Sequence, residues 1–385
     1  MSTSLLSRFA ASPSCVPKDC SPKLCTQRVS CAAVAVPGSF GKSERCGFGS
    51  VRSERRLTVH AVDGEQRASA VVVDEPRTST SDDSGTADWE GFGAQVSAEW
   101  DGYSAEFNFA GEPFELPSNI VPDAFREWGV EIHDWQTQCP TLAHPEKGRL
   151  WYKVIRLHPT VGCEADAATI YGVEKCDVQE KAAALAYHNS GSYTIVWRGK
   201  RVTKEQLGSG PGKEVFREGD AIEVEQCLVH EKKRIRVLQH LDPRRRVTVF
   251  REAYEGPFRN GESLGGCAIG TPAFAKQKPL EASALTGSWR TDLYSAQNLQ
   301  HQQEYSSSEL VSSGVEDVER QLSDTNLYLP LDTWTSLSKS ESGGTVVETG
   351  WLVKPDQAVV SVCEFESSGD LKGVSLRLEK RISGE

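Results

Sequence analysis

From residue 96 onward the apolar positions recur mostly at period two, in short runs broken by Gly, Pro, Asn and Asp. Side chains of an extended chain alternate between faces, so this spacing predicts β-strands rather than helices. Residues 96–100, 130–133 and 221–229 alternate, and residues 150–155 and 192–197 are denser β-rich runs, the second following a turn at Asn189-Ser190-Gly191. Strands at 234–238 and 246–250 follow, joined across Asp242-Pro243. The last hundred residues predict three more, at 345–353, 357–365 and 371–381, with Ser367-Ser368-Gly369-Asp370 as a hairpin loop between the last two. Helix signals are few. Residues 121–128 fit one or two turns with Pro122 at the first position, while 173–187 and 308–322 fit helix or strand equally.

Many short strands at close spacing predict a sandwich or a barrel. A faint internal repeat narrows the choice. Ala98-Glu99-Trp100 followed by Tyr103-Ser104-Ala105 returns as Gly287-Ser288-Trp289 followed by Tyr294-Ser295-Ala296. Val224-Glu225-Gln226-Cys227-Leu228-Val229 returns, with one gap, at residues 347–353, and each copy is followed by two further strands. Matches in the same order predict a duplicated β module, each copy curling to bury one face of its sheet.

Composition changes this picture mainly at the start of the chain. Residues 1–61 carry nine Lys or Arg against Asp19, Glu44 and Glu54, with eleven serines and a small-residue ending at Val59-His60-Ala61. Such a segment reads as a chloroplast transit peptide cleaved near Ala61. Residues 62–87 are polar, small and aperiodic, which predicts a disordered linker. The domains expected after it are a first barrel over 88–270, a linker over 271–284 and a second barrel over 285–385. The whole chain carries 43 basic and 54 acidic residues; setting 1–61 aside leaves 34 and 51, net −17. That charge lacks the clustered positive footprint of a nucleic-acid binder and any general attraction to anionic membranes. No apolar run approaches the roughly 20 residues of a membrane-spanning helix, so no transmembrane segment is expected.

Candidate chemistry is sparse. Six cysteines lie beyond residue 61 (Cys139, Cys163, Cys176, Cys227, Cys267 and Cys363), none in a C-x-x-C pair and none near His at zinc-ligand spacing, so neither a metal nor a cofactor is expected. They read as free thiols packed as small hydrophobes. His133 to Pro140 is the densest polar and aromatic cluster, and a His133–Cys139 nucleophile pair would need a loop to bring the two together. All nine tryptophans follow residue 61. They either fill the cores or, at Trp100, Trp135, Trp197, Trp289 and Trp351, line a pocket for a flat apolar ligand. Lys232, Lys233, Arg234, Arg244, Arg245 and Arg246 form the strong basic clusters. They read as a solvated sheet edge, or as a docking patch for an acidic protein partner or a carboxylate-bearing ligand. Gly208 to Lys213 lacks the phosphate-loop spacing, with Glu214 where Ser or Thr belongs.

The run Gly344 to Val353, the strand ending at Phe365, Gly369 and Leu376 to Arg381 resemble the closing hairpins of calycin-type barrels. With the aromatic opening from Trp89 to Tyr103, they are most similar to the DUF3598 group, distantly related to the CpeS-type bilin lyases. The resemblance covers most of residues 88–384 and implies an all-β fold of two tandem lipocalin-like antiparallel barrels with short helices. It carries over no catalytic residue, and lyase function is not transferred, because those enzymes act on phycobiliproteins whereas this presequence looks like that of a green plant or alga. Three readings follow. The first is a soluble, non-enzymatic chloroplast protein that binds a lipophilic or tetrapyrrole-like ligand or assists the photosynthetic apparatus. The second is a pigment- or lipid-modifying lyase or isomerase with its site in a barrel cavity. The third is a scaffold with filled barrels.

Overall fold

The computed structural model describes residues 84–146, 148–161, 169–198, 221–241, 246–262, 273–297, 299 and 304–382. The presequence, the turn at Asp242-Pro243, the 208–213 loop, Arg244, Arg245, Cys163 and Cys267 lie outside the described residues.

The first described element is helix α1 (Ser84–Val96), which starts in the last four residues of the segment expected to be a linker. Its buried Trp89, Phe92 and Val96 recur at helical spacing and seal one end of the first sheet's core. Residue 96 therefore ends a helix rather than starting a strand. The strands that follow are β1 (Glu99–Phe107), β2 (Trp135–Gln138), β3 (Thr141–Ala143), β4 (Leu150–Leu157), β5 (Ile170–Asp177), β6 (Ala182–Tyr187), β7 (Tyr193–Arg198), β8 (Ala221–His230), β9 (Lys233–His240) and β10 (Val247–Gly256). The second half supplies β11 (Gly287–Gln297), β12 (Ser306–Glu309), β13 (Val311–Arg320), β14 (Asn326–Leu329), β15 (Thr333–Lys339), β16 (Thr345–Lys354), β17 (Gln357–Phe365) and β18 (Leu371–Arg381). Short helices α2 (Asp123–Glu127) and α3 (Val178–Lys181) complete the set.

The expected turn at 121–128 is α2, with Pro122 as its N-cap. The run at 130–133 is not a strand: it leads from α2 into β2 without ladder partners. The ambiguous stretch 173–187 resolves as strand, one helical turn and strand, and 308–322 lies in strands.

The fold is all-β, in two antiparallel sheets with one parallel exception. The larger runs β12-β6-β7-β8-β9-β10-β1-β2-β4-β3, with β5 on the free side of β4; the smaller runs β13-β11-β18-β17-β16-β15-β14. Each curls like a half-barrel, so that side chains from distant strands meet inside. Tyr152 of β4 hydrogen-bonds Glu225 of β8, and Arg320 of β13 hydrogen-bonds Glu348 of β16. Neither ladder is closed by strand pairing among the described residues.

The register makes the duplication concrete. β1 pairs with β10 as β11 pairs with β18, so the first strand of each half meets the last. Trp100 and Trp289 occupy equivalent places, and each indole N–H donates to the carbonyl four residues earlier, Val96 or Leu285, at 2.9 Å. An arginine lies over each ring, Arg234 at 4.5 Å and Arg381 at 4.3 Å. The Tyr-Ser-Ala triplets share those strands but not the register. Tyr103 stands opposite Arg251, and Tyr294 opposite Leu376, two residues from the corresponding site at Leu378.

The sheets pack back to back through the repeated segments. Gln226 and Thr349, equivalent residues of the two copies, meet at 2.7 Å, and Gln226 also donates to the Ser361 carbonyl at 2.8 Å. Ala184, Val224 and Leu228 share one apolar cluster with Val347, Val359 and Phe365. The parallel pairing of β12 with β6 also carries a strand of the second half into the first sheet.

Candidate functional site

The interior of the first sheet holds buried charge in the midst of its apolar core. Arg234 donates to Glu252 at 2.7 Å; Arg236 bridges Glu252 at 2.9 Å and Glu225 at 3.0 Å, and all four side chains are buried. Glu225 also accepts from Tyr152 at 2.6 Å, Tyr193 at 3.1 Å and Trp197 at 3.2 Å. Burial works against the Glu252 charge, but the two guanidiniums outweigh it and hold its carboxyl at about 2. Burial, then the Glu225 carboxylate, pushes the Tyr152 and Tyr193 phenols well above their usual range. Every donor in this network meets an acceptor, the condition for keeping buried charge.

The second sheet repeats the plan with different donors. Trp334 donates to Glu348 at 2.8 Å, and Arg320 reaches Glu348 at 3.2 Å and Glu379 at 2.7 Å. The registers make Glu225 equivalent to Glu348 and Glu252 to Glu379, while the arginines come from different strands, β9 and β13.

The five tryptophans singled out in the sequence do not converge. Trp100 and Trp197 belong to the first core cluster, Trp289 to the second sheet's inner cluster, and Trp351 to the boundary between the sheets. Trp135 stacks on Tyr171 with ring centres 4.7 Å apart, outside those cores. The basic cluster also divides. β9 and β10 are central strands, so the solvated-edge reading is corrected. Lys232 and Lys233 are exposed, Arg246 pairs with Glu106 at 3.1 Å over the Phe114 ring, and Arg234 turns inward, because alternation on β9 sends it to the charged core.

The thiols are unsuited to nucleophilic work. Burial pushes Cys139 up to about 11, and Cys176 and Cys227 up to about 12. Cys139 sits in the first core, whereas His133 lines a cleft on the outer face, so the chain does not bring them together.

That outer cleft is the candidate site. It encloses about 540 Å³ between β1, β2, the α2 region and residues 273–277. Tyr103, Phe125, Ile132 and Pro159 form apolar walls; Glu131, His133, Asp134, Gln136 and Lys276 supply polar groups. Asp134 fixes one wall by accepting the backbone N–H groups of Phe274 at 2.8 Å and Ala275 at 3.1 Å. Burial nevertheless raises its carboxyl above the usual range. Glu131 lies 3.2 Å from Lys276 and 3.3 Å from His133 Nε2. An ionised carboxylate only accepts, so the His133 Nε2 facing Glu131 carries a proton. His133 is 6% exposed, and its Nδ1 has no hydrogen-bond partner among the described residues. An unmet buried polar atom is uncommon and costs about 1–3 kcal/mol. The His133–Pro140 cluster flagged in the sequence supplies three of these polar groups, His133, Asp134 and Gln136. Tyr103, Phe125 and Lys276 were not legible as partners, because tertiary structure alone brings their segments together.

No family model matches the chain, and no curated protein matches it. Among solved structures it is similar to a protein of unknown function from the DUF3598 family of Nostoc punctiforme, at 14% identity over 76% of this chain and 98% of that one, TM-score 0.44. A candidate outer-membrane protein from Bacteroides fragilis is more distant, at 8% identity over 75% of this chain and 99% of that one, TM-score 0.17. Among the described residues no helix is long and apolar enough to cross a membrane.

Proposed function

We propose that this chain is a non-enzymatic plastid protein that binds a small amphipathic molecule in the outer His133 cleft, not inside either curled sheet. The observation that carries the reading is a cleft of about 540 Å³ whose apolar walls meet the polar groups of Glu131, His133 and Lys276, with the unpartnered His133 Nδ1 buried in its wall. That volume is typical of small-molecule sites, and such sites pair apolar walls with a few placed polar groups. The ligand is an apolar ring system bearing one hydroxyl or N–H, which donates to the His133 imidazole once the ring turns to present Nδ1 to the cleft. The interiors are poor alternatives, because buried ion pairs and indoles already occupy them. The plastid part rests on the basic, Ser-rich composition of residues 1–61.

The test compares 2-naphthol with 2-methoxynaphthalene, which lacks the donor. The full chain binds 2-naphthol more tightly, and His133→Leu weakens that binding about tenfold while leaving the ether unchanged, as loss of one buried hydrogen bond requires. Equal binding of both probes to both proteins would overturn the reading. N-terminal sequencing of the protein from green tissue should find a start close after Ala61; an intact Met1 counts against the plastid assignment.

A further inference from the structure

Next to the His133 cleft lies a second crevice of about 670 Å³, at the boundary between the two sheets, with Gln277 lining both. Its walls are Lys233 and Ile235 of β9, Arg251 of β10, Lys278, the Leu331-Asp332 turn and Trp351 of β16. We propose that this crevice binds an anionic, flat apolar molecule, an aromatic or fused-ring carboxylate, with its ring against Trp351 and its carboxylate at Lys233.

Charge supports the proposal first. Lys233, Arg251 and Lys278 line the crevice against Asp332, because the Glu252 carboxylate on the same wall turns inward to Arg234 and Arg236. Lys278 is shared with Glu281, and Arg251 is partly buried, but Lys233 is exposed and has no ion-pair partner among the described residues. The apolar half is supplied by the partly buried Trp351 indole, with Ile235 and Leu331 beside it. An indole face beside a lysine accommodates a planar anion, with dispersion along the ring and charge at one end.

The opposite wall is a tight hairpin turn between β14 and β15. Leu331 and Asp332 both have left-handed φ, +66° and +56°. A bulky non-glycine residue there is disfavoured by about 1–2 kcal/mol. The turn is held by the Leu352 N–H, which donates to the Asp332 carbonyl at 2.9 Å next to Trp351. The crevice also joins two features that the sequence leaves separate, the Lys232-Lys233 cluster and Trp351.

The test uses the full chain with pyrenebutyrate and its uncharged counterpart pyrenebutanol. Pyrenebutyrate binds saturably and less tightly as salt rises. Lys233→Glu weakens it about tenfold, the scale of a surface ion pair turned into a repulsion, and leaves pyrenebutanol unchanged. Trp351→Phe weakens both probes, and His133→Leu affects neither, which separates this crevice from the first cleft. Lys233 is exposed, so its reversal leaves the thermal midpoint unchanged; Lys278→Glu, also exposed, weakens the acid in the same direction. Absence of saturable binding, equal binding of acid and alcohol, indifference to Lys233→Glu, or loss of binding in His133→Leu each overturns the proposal.

Discussion

Arg236→Met lowers the unfolding free energy by about 3–5 kcal/mol, measured by urea denaturation at pH 7. The size follows from what the guanidinium holds. It bridges Glu225 at 3.0 Å and Glu252 at 2.9 Å, donates to Cys139 Sγ at 3.5 Å, and lies 4.2 Å over the Phe250 ring. Its loss leaves two buried carboxylates to one remaining arginine, Arg234. The sign of the pH dependence follows from Glu252. Its folded pKa is depressed to about 2 from an ordinary 4.5, so its contribution is present above about 4.5 and is lost as pH falls toward 2. With Arg236 gone, less positive charge opposes burial, the folded pKa rises, and acid unfolding moves to higher pH. A variant that unfolds at the same urea concentration and the same acid midpoint as the parent would show that the network contributes little. Adding Glu225→Gln to Arg236→Met should recover part of the loss, because it removes one of the stranded charges.

Gly350→Ala is expected to cost about 1–3 kcal/mol, and more if the Trp334–Glu348 hydrogen bond breaks. A Cβ at residue 350 would lie 2.0 Å from the Trp334 ring. That ring cannot yield easily: it is fully buried, and its N–H is fixed on Glu348 at 2.8 Å. The first half shows the alternative solution. The registers place Cys227 where the second half has Gly350, and Tyr193 where it has Trp334, and Tyr193 donates to Glu225 as Trp334 donates to Glu348. One copy pairs a phenol with a cysteine; the other pairs an indole with a glycine. The double variant Gly350→Ala, Trp334→Tyr should therefore be more stable than the sum of the single effects, a coupling read by a double-mutant cycle on thermal midpoints. Simple additivity would refute this account of the size exchange.

Much of the architecture was legible. The strands at 150–155, 221–229 and 345–381 carry β-branched and aromatic residues at period two, and each formed where that spacing placed it. The hairpin loop at 367–370 has Gly369 at φ +90°, which suits glycine. The repeat was legible because both copies keep a Trp on the first strand and a Glu in the strand that meets the other sheet. The misplaced pieces were short or carried mixed signals. Residues 130–133 alternate but join no ladder among the described residues, and Val96 completes a helix stripe that begins at Trp89, at the start of the first expected barrel.

The sequence by itself determined the strand-rich class, the duplication and the acidic surface charge, because these rest on local spacing and composition. The site was decided by the tertiary structure, and the reason is a reversal of the usual phase. On β8 the apolar phase, Val224 and Leu228, faces the other sheet, while Glu225 faces the interior with Cys227. Read along the chain, that glutamate belongs to the wet face; packing two sheets back to back buries both faces at once. The same packing turned Arg234 inward while leaving Lys233 at the surface, and brought Trp351 within one crevice of it. It also placed the 273–277 segment against His133, where Asp134 holds it by two backbone N–H groups. Those contacts join residues more than a hundred positions apart, which no local pattern encodes.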